Sequence, residues 1–402
     1  MSSSYSESIL GPLPTTVTIS SSSSSPSPPS LESPSLSSSP SSSSSSQDTP
    51  HSPASNHSIG PEDFIPLKVI GTGTYGKVFL VRERSSGRLF AMKTLKKAAV
   101  VVHSKYTEHT KAERQILEAV QHPFIVKLYY AFQTQRKLYL VLEYVPGGEL
   151  FTHLARERMF DEEVAIFVSA QIILALEHLH SLGVIYRDLK PENILLGQDG
   201  NVVLTDFGLS KVSLDDSGTT NTICGTVEYM APEVVMERVG YDFSVDWWSL
   251  GILIHDMLTG SAPFRGSNRK KTMDAIANRR LKLPSYLSPA ARDLLTKLLK
   301  KHPKARLGAG PGGVEDLKKH PFFRSIHWPH LLDRKVRAPF VPIIASEEDT
   351  SNFDKEFTSM APIPESPQAS PVSSSADALF HGFSFINRKS SFSFTSISSN
   401  YG

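Results

Sequence analysis

From Phe64 onward the chain alternates short apolar runs with polar breaks that carry Gly, Ser or Asp. FIPLKVIG, KVFLVRE and LFAMKTL are rich in β-branched and aromatic residues and are bounded by Gly and Ser, which predicts strands. TEHTKAERQILEAV (107–120) spaces Ile116, Leu117 and Val120 for one buried helical face. VKLYYAFQ and KLYLVLEYV predict two further strands. Beyond Pro146 the period lengthens to that of helices, most clearly in EEVAIFVSAQIILALEHLHSL (162–182) and VDWWSLGILIHDMLTG (245–260). A small sheet-rich part followed by a larger helical part predicts an α+β, bilobal architecture with a ligand-binding cleft between the lobes. After Arg324 the pattern thins to isolated Phe residues among Pro and Ser, an extended tail with apolar anchors.

Composition changes this picture mainly at the ends. Residues 1–60 are dominated by Ser and Pro, as in SSSSSPSPPSLESPSLSSSPSSSSSS (21–46), with too little apolar surface to offset their ordering entropy, so disorder is predicted. At 402 residues and 39% hydrophobic, the chain can bury a large core. A net charge of +2 gives no overall commitment to nucleic acid or membrane. The clusters NRKK (268–271) and KLLKKHPKAR (297–306) read as solvated helix faces. The single Cys224 rules out an intrachain disulfide, suits a reducing compartment and reads as a small structural residue. No uninterrupted apolar run reaches about 18 residues, so no membrane insertion is expected, and the N-terminus lacks a signal-peptide core. A soluble, cytoplasmic monomer is the expectation, with the nucleus left open.

The candidate chemistry centres on GVIYRDLKPENILL (183–196). It sets Arg187, Asp188, Lys190 and Asn193 in a turn between apolar runs, more polar chemistry than a turn requires. GTGTYGKV places Gly71, Gly73 and Gly76 after a strand, which alone is a weak signal, because a Rossmann turn shows the same letters and an ordinary glycine hairpin is the bland alternative. A Rossmann loop opens a helix, whereas KVFLVRE continues as a strand, so these glycines cap a hairpin whose amides can lie over phosphates. Lys93 ends the apolar run FAMK, where a lysine is costly unless an acid or a phosphate meets it. Glu113, on the helix of the sheet-rich part, is the candidate partner; singly, each also fits a surface charge. Phosphoryl transfer to a hydroxyl needs a carboxylate to take the proton and ligands for the metal that neutralises the triphosphate. Asp188 fits the base, Lys190 stabilises charge on the transferred group, and Asn193 and Asp206 (in LTDFGLS) fit Mg²⁺ ligands. YMAPE (229–233) closes the segment between. Order and spacing match the protein kinase set throughout. His178 and His180 diverge on a helix and make a poor metal pair, and Trp247 and Trp248 read as core.

Residues 64–323 thus resemble the eukaryotic protein kinase catalytic domain. YRDLKPEN, with Tyr186 where most kinases have His, TICGTVEYMAPE, VDWWSLG, AFQTQRKLYLVLEYVPGGELF, SNRKK and RLGAGPGG resemble the AGC group and, within it, the ribosomal protein S6 kinases. SEEDTSNFD and FHGFSF resemble that group's C-terminal extension, assigned to 324–395 with 396–402 as a disordered end. The resemblance implies the bilobal kinase fold with ATP and Mg²⁺. Ile70, Val78, the three glycines, Lys93 and Glu113 would form the nucleotide site, with Leu142 as gatekeeper and Glu143 and Val145 as hinge. Asp246 would brace the catalytic loop, and Glu233 would pair with Arg306. DLKPEN implies serine/threonine specificity. Glu149, Glu192 and Asp256 match acids that read basic residues upstream of the hydroxyl, which suits R-x-R-x-x-S substrates.

Regulation is implied in the same way. Thr222 matches the site of a phosphoinositide-dependent-kinase-like enzyme, with Arg187 and His109 as partners for its phosphate. Ser366 resembles the turn-motif site, with Ala361 where the family has an upstream Thr. Ser384 lies in the hydrophobic motif that target-of-rapamycin-complex-like kinases modify. Phe380, Phe383 and Phe385 should dock beside the helix of Glu113, and Phe353 should reach the adenine pocket. Likeness to the S6 kinases implies growth and nutrient signalling. Three family features are absent from the sequence: an FDxDL-like recruitment segment, a long basic autoinhibitory tail and a lipid-binding domain ahead of the kinase. A different AGC kinase is the nearer rival reading; a pseudokinase would lack Lys93, Asp188 or Asp206, and all three are present.

Overall fold

The computed structural model describes residues 59–73, 76–102, 104–212, 226–236, 240–362 and 378–387, all within one unit, His57–Gly402. Thr222, Cys224, Ser366 and the Ser/Pro-rich segment up to residue 58 lie outside them. Ile59 and Gly60, assigned above to the disordered end, belong to the fold: Gly60 is buried and Ile59 packs on the core.

The small lobe is an antiparallel sheet of β1 (Phe64–Gly73), β2 (Gly76–Glu83), β3 (Leu89–Lys96), β4 (Leu128–Gln133) and β5 (Lys137–Glu143). Its order is β1-β2-β3-β5-β4, and a sixth strand, β10 (Phe385–Ile386), completes the β4 edge. Apolar residues fill both faces, which is why these strands read as near-continuous apolar runs. Phe64, Phe79, Phe90 and Phe132 line one face, covered by Phe357 and Met360 of the C-terminal extension. The other face receives α1 (Lys97–Val100) and α2 (Ser104–Ala119). Helix α2 starts earlier than the predicted 107, because no Gly or Pro interrupts SKY and Tyr106 packs on the core. β4 starts at Leu128 rather than Val126.

The large lobe is built from α3 (Leu150–Glu157), α4 (Glu162–Ser181), α5 (Pro232–Val235), α6 (Ser244–Thr259), α7 (Arg269–Asn278) and α8 (Pro289–Leu298). Two short antiparallel pairs lie in the large lobe: β6 (Val184–Ile185) with β9 (Lys211–Val212), and β7 (Ile194–Leu196) with β8 (Val202–Leu204). Helix α4 has the length and apolarity of a membrane span, contrary to the expectation from uninterrupted runs. Two-thirds of its apolar stretch is buried inside this lobe, as befits a core helix. Trp247 and Trp248 are core as expected, and Trp248 stacks on Phe264 at 5.6 Å.

Glu233 and Arg306, far apart in sequence, meet at 2.8 and 3.0 Å in a two-pronged bond. Arg306 is 1% exposed, so removing it strands a carboxylate where water cannot solvate it. Arg306→Met is expected to cost about 3–5 kcal/mol, read as a lowered denaturant midpoint; a loss under about 1 kcal/mol would show that the pair is solvated.

Candidate active site

The cleft between the sheet and the helical lobe encloses a cavity of about 500 Å³. Its roof is the β1–β2 hairpin, where Gly73 pairs with Gly76. Gly76 cannot be larger, because a Cβ there would overlap the Thr94 carbonyl oxygen of β3. Gly71, Ile70 and Val78 line the roof, and Leu142, Glu143 and Val145 line the back where β5 leads into the large lobe. The hairpin reading over the Rossmann turn holds: β2 continues as a strand.

Lys93 is central in β3, opposite Val78 and Leu140. Its ammonium lies 2.6 Å from Glu113 of α2 and 3.2 Å from Asp206. Burial alone would lower this lysine's pKa, but the charges of Asp206 and Glu113 overturn that and raise it, so it is a fixed cation. Burial raises the Glu113 carboxyl against the pull of Lys93. Asp206 is held below its usual range, chiefly by Lys93. Asp206 sits at φ 53°, a conformation non-glycine residues rarely adopt, as does Arg187 at φ 68°.

The strain at Arg187 is held by Asp246 of α6. Its Oδ1 accepts from the Arg187 amide at 2.8 Å, and its Oδ2 accepts from the Tyr186 amide at 3.0 Å. His180 closes the arrangement at 2.8 Å from Oδ2. So the loop that carries Arg187 and Asp188 is fixed by a carboxylate that is wholly buried. Beyond it, Asp188 Oδ2 accepts from Asn193 Nδ2 at 2.8 Å and pairs with Lys190 Nζ at 2.9 Å. Asp188 Oδ1 is buried with no partner among the described residues. An unpartnered carboxylate oxygen is costly, and the residue that carries this one lines the cavity. Lys190 also donates to Thr226 Oγ1 at 3.2 Å, a contact the sequence reading missed.

Glu149 and Glu192 line the front of the same cavity. Among the described residues, Glu192 Oε2 is buried without a partner. Burial, then the Glu192 and Asp354 charges, push Glu149 up to about 7. Asp256, expected beside them, is not in the cavity lining; it accepts from Tyr229 Oη at 2.5 Å. Neither Asp354 nor Tyr229 was anticipated.

Helix α9 (Gly313–Lys318) closes the large lobe, and the C-terminal extension that follows, through α10 (Trp328–Leu332) and α11 (Lys355–Thr358), is more ordered than a plain extended tail. It presses Asn352 against Gly148 (φ 71°), where a Cβ would overlap the Asn352 carbonyl oxygen. Tyr144 Oη donates to Asp349 O at 2.6 Å, and Phe353 stacks on Tyr144 and lines the cavity as expected. Farther on, Phe380 is 0% and Phe383 3% exposed. They dock beside α2, where Arg114 donates to Phe383 O at 3.1 Å and to Ser384 O at 3.3 Å. Ser384 itself is exposed. Phe385 pairs with Ala131 as the added strand, which no sequence signal announced.

No group of three His, Cys, Asp or Glu among the described residues is placed to hold a metal alone. Asn193 and Asp206 together suit Mg²⁺, which keeps few protein ligands and shares phosphate oxygens. Residues 64–323 match the protein kinase domain family, and 344–385 match the protein kinase C-terminal domain. Ribosomal protein S6 kinase beta of Caenorhabditis elegans is 55% identical over 334 residues, 82% of this chain and 60% of that protein. Ribosomal protein S6 kinase alpha-1 of Homo sapiens is 52% identical over 341 residues, 84% of this chain and 46% of that protein. The alpha-3 protein of Mus musculus is likewise 52% identical, over 84% of this chain and 45% of its own length. The chain therefore spans about half of the relatives it matches.

Proposed function

The chain belongs to the protein kinase family, as an AGC-type member similar to the ribosomal protein S6 kinases, and from that premise we propose that it transfers the γ-phosphoryl group of ATP to serine and threonine of proteins with basic residues upstream. The observation that carries the reading is Asp188, one oxygen tied to Asn193 and Lys190 and the other buried with no partner among the described residues. Asp188 accepts the hydroxyl proton through Oδ1, and Lys190 stabilises charge on the group in transit. Lys93, fixed by Glu113, anchors the phosphates. Bound Mg²⁺ supplies neutralisation of the phosphate charge, and Asn193 and Asp206 are the residues that would hold it. Glu149 and Glu192 take the upstream arginine. A peptide array with every residue varied around Ser tests this: preference for Arg upstream supports it, and selection of acidic residues there overturns it.

Glu149 gives the recognition a pH dependence. With its carboxyl near 7, it loses charge as pH falls through that value. KM for an Arg-bearing peptide is expected to fall several-fold between about pH 6 and about pH 8, and Glu149→Gln should flatten the trend. An unchanged slope in that variant would place the titrating group elsewhere.

The activation scheme is part of the same proposal. Phosphorylated Thr222 would be met by Arg187 and His109, with Ser366 and Ser384 as further sites for phosphoinositide-dependent-kinase-like and target-of-rapamycin-complex-like enzymes. Arg187 is near enough that its charge, after burial, holds His109 below its ordinary pKa. The docked rings stabilise α2 and hence the Lys93–Glu113 pair. Replacing both Phe380 and Phe383 by Ala is expected to lower kcat/KM about 5- to 100-fold; full activity in that variant would remove the extension from the mechanism. Ribosomal protein S6, for which the relatives are named, is the type of substrate proposed. A monomer acting in growth signalling, in the cytoplasm with the nucleus open, completes the proposal.

A further inference from the structure

The segment from Arg265 to Lys282 carries seven lysines and arginines against one acid, Asp274. That local excess exceeds the net +2 of the whole chain. All seven cations are exposed, and none is in an ion pair among the described residues. Solvated helix faces usually interleave both signs at i, i+4 spacing. Here α7 has only Asp274 to offset its own Arg269, Lys270 and Lys271.

The cations surround a depression rather than a flat face. Arg265, Lys271 and Arg279 line a groove of about 620 Å³, with Gly266 and Ala275 among its other walls. Its shape is fixed: Gly266 N donates to Thr272 Oγ1 at 3.1 Å, and Arg279 Nη1 donates to Arg265 O at 3.0 Å. A Cβ at Gly266 would lie 2.5 Å from the backbone of Lys271 and Thr272, so the groove backbone is close-packed. Helix α7 rests on the turn Val227–Tyr229. That turn follows Thr226, the partner of Lys190, so the groove borders the substrate side of the active site.

We propose that this groove is a docking site for an acidic peptide segment of the protein substrate, separate from the Glu149–Glu192 subsite that takes its basic residues. This rests on the kinase reading above. Charge complementarity selects an anionic occupant. The groove form favours an extended peptide over a lipid surface, which needs exposed apolar side chains beside the cations. No aromatic residue lies between Arg265 and Lys282 to stack bases, which disfavours single-stranded RNA. Asp274 within the groove makes the fit selective for carboxylates spaced to avoid it.

The test compares two peptides that share one Arg-bearing Ser core, one of them extended by a Glu-rich tract through Gly/Ser linkers of several lengths on either side. The extended peptide is expected to show a KM about tenfold lower, an advantage that shrinks with added salt. Lys271→Glu combined with Arg279→Glu should erase it without altering kcat on the short core, and a Lys-rich extension should restore it in that variant. The same KM for both peptides at every linker length, or an advantage that survives charge reversal, overturns the proposal. So does tighter binding of anionic vesicles or oligouridylate than of the Glu-rich tract. Turnover of the short core reads the kinase activity itself, so loss of the activity and loss of docking are distinguishable.

Discussion

Asp188→Asn is expected to lower the turnover number about 10²- to 10⁴-fold, the range that a positioned general base contributes. The substitution keeps the shape of the side chain and its contact with Asn193, which donates to the Asp188 carbonyl oxygen as well at 2.8 Å. What it removes is the basicity of Oδ1 and the charge that holds Lys190 at 2.9 Å. Neither change touches the roof or hinge, so nucleotide affinity should stay within about threefold. Single-turnover phosphorylation of a Ser peptide, beside fluorescence titration with nucleotide, separates the two quantities. Turnover at the level of the unaltered protein would mean that another group takes the proton.

Lys93→Met should cost about 10²- to 10³-fold in kcat/KM, as when one charged stabiliser is removed from a preorganised site. It leaves Glu113 and Asp206 facing each other without the cation that now lies 2.6 and 3.2 Å from them. The sign of the accompanying pH effect follows. Lys93 is the main cause of the lowered Asp206 pKa and opposes the raised Glu113 pKa, so without it both carboxyls take up protons at higher pH. The residual activity should therefore fade at a higher pH on the acid side than that of the unaltered protein. An acid limb that stays in place would show that Lys93 does not set the charge state of Asp206.

The sheet was legible because its strands are buried on both faces, leaving runs such as LFAMKTL that few other elements produce. The candidate site residues were legible as a set because proton transfer and metal binding restrict residue type and spacing tightly, and Lys93, Asp188, Lys190, Asn193 and Asp206 line one cavity. Other features depend on contacts with no local signal. His180, read only as a poor metal partner for His178, bonds to Asp246 across 66 positions. Phe385–Ile386 is too short to announce a strand and becomes one by pairing with Ala131 and Tyr130. Arg114 adjoins Glu113 in sequence but faces the docked tail, a role set by residues some 270 positions away. Asp256, matched by its motif position to acids that read upstream basic residues, accepts from Tyr229 Oη, a contact 27 positions away that the motif does not announce.

The central claim is that this cleft moves a phosphoryl group from ATP to a hydroxyl. Its most direct measurement is transfer of label from γ-labelled ATP to a peptide of the R-x-R-x-x-S type, with and without Mg²⁺, followed by identification of the labelled residue. The account predicts Mg²⁺-dependent labelling of serine that is lost in Asp206→Asn. Binding of ATP with no transfer under any phosphorylation state of the protein would contradict it.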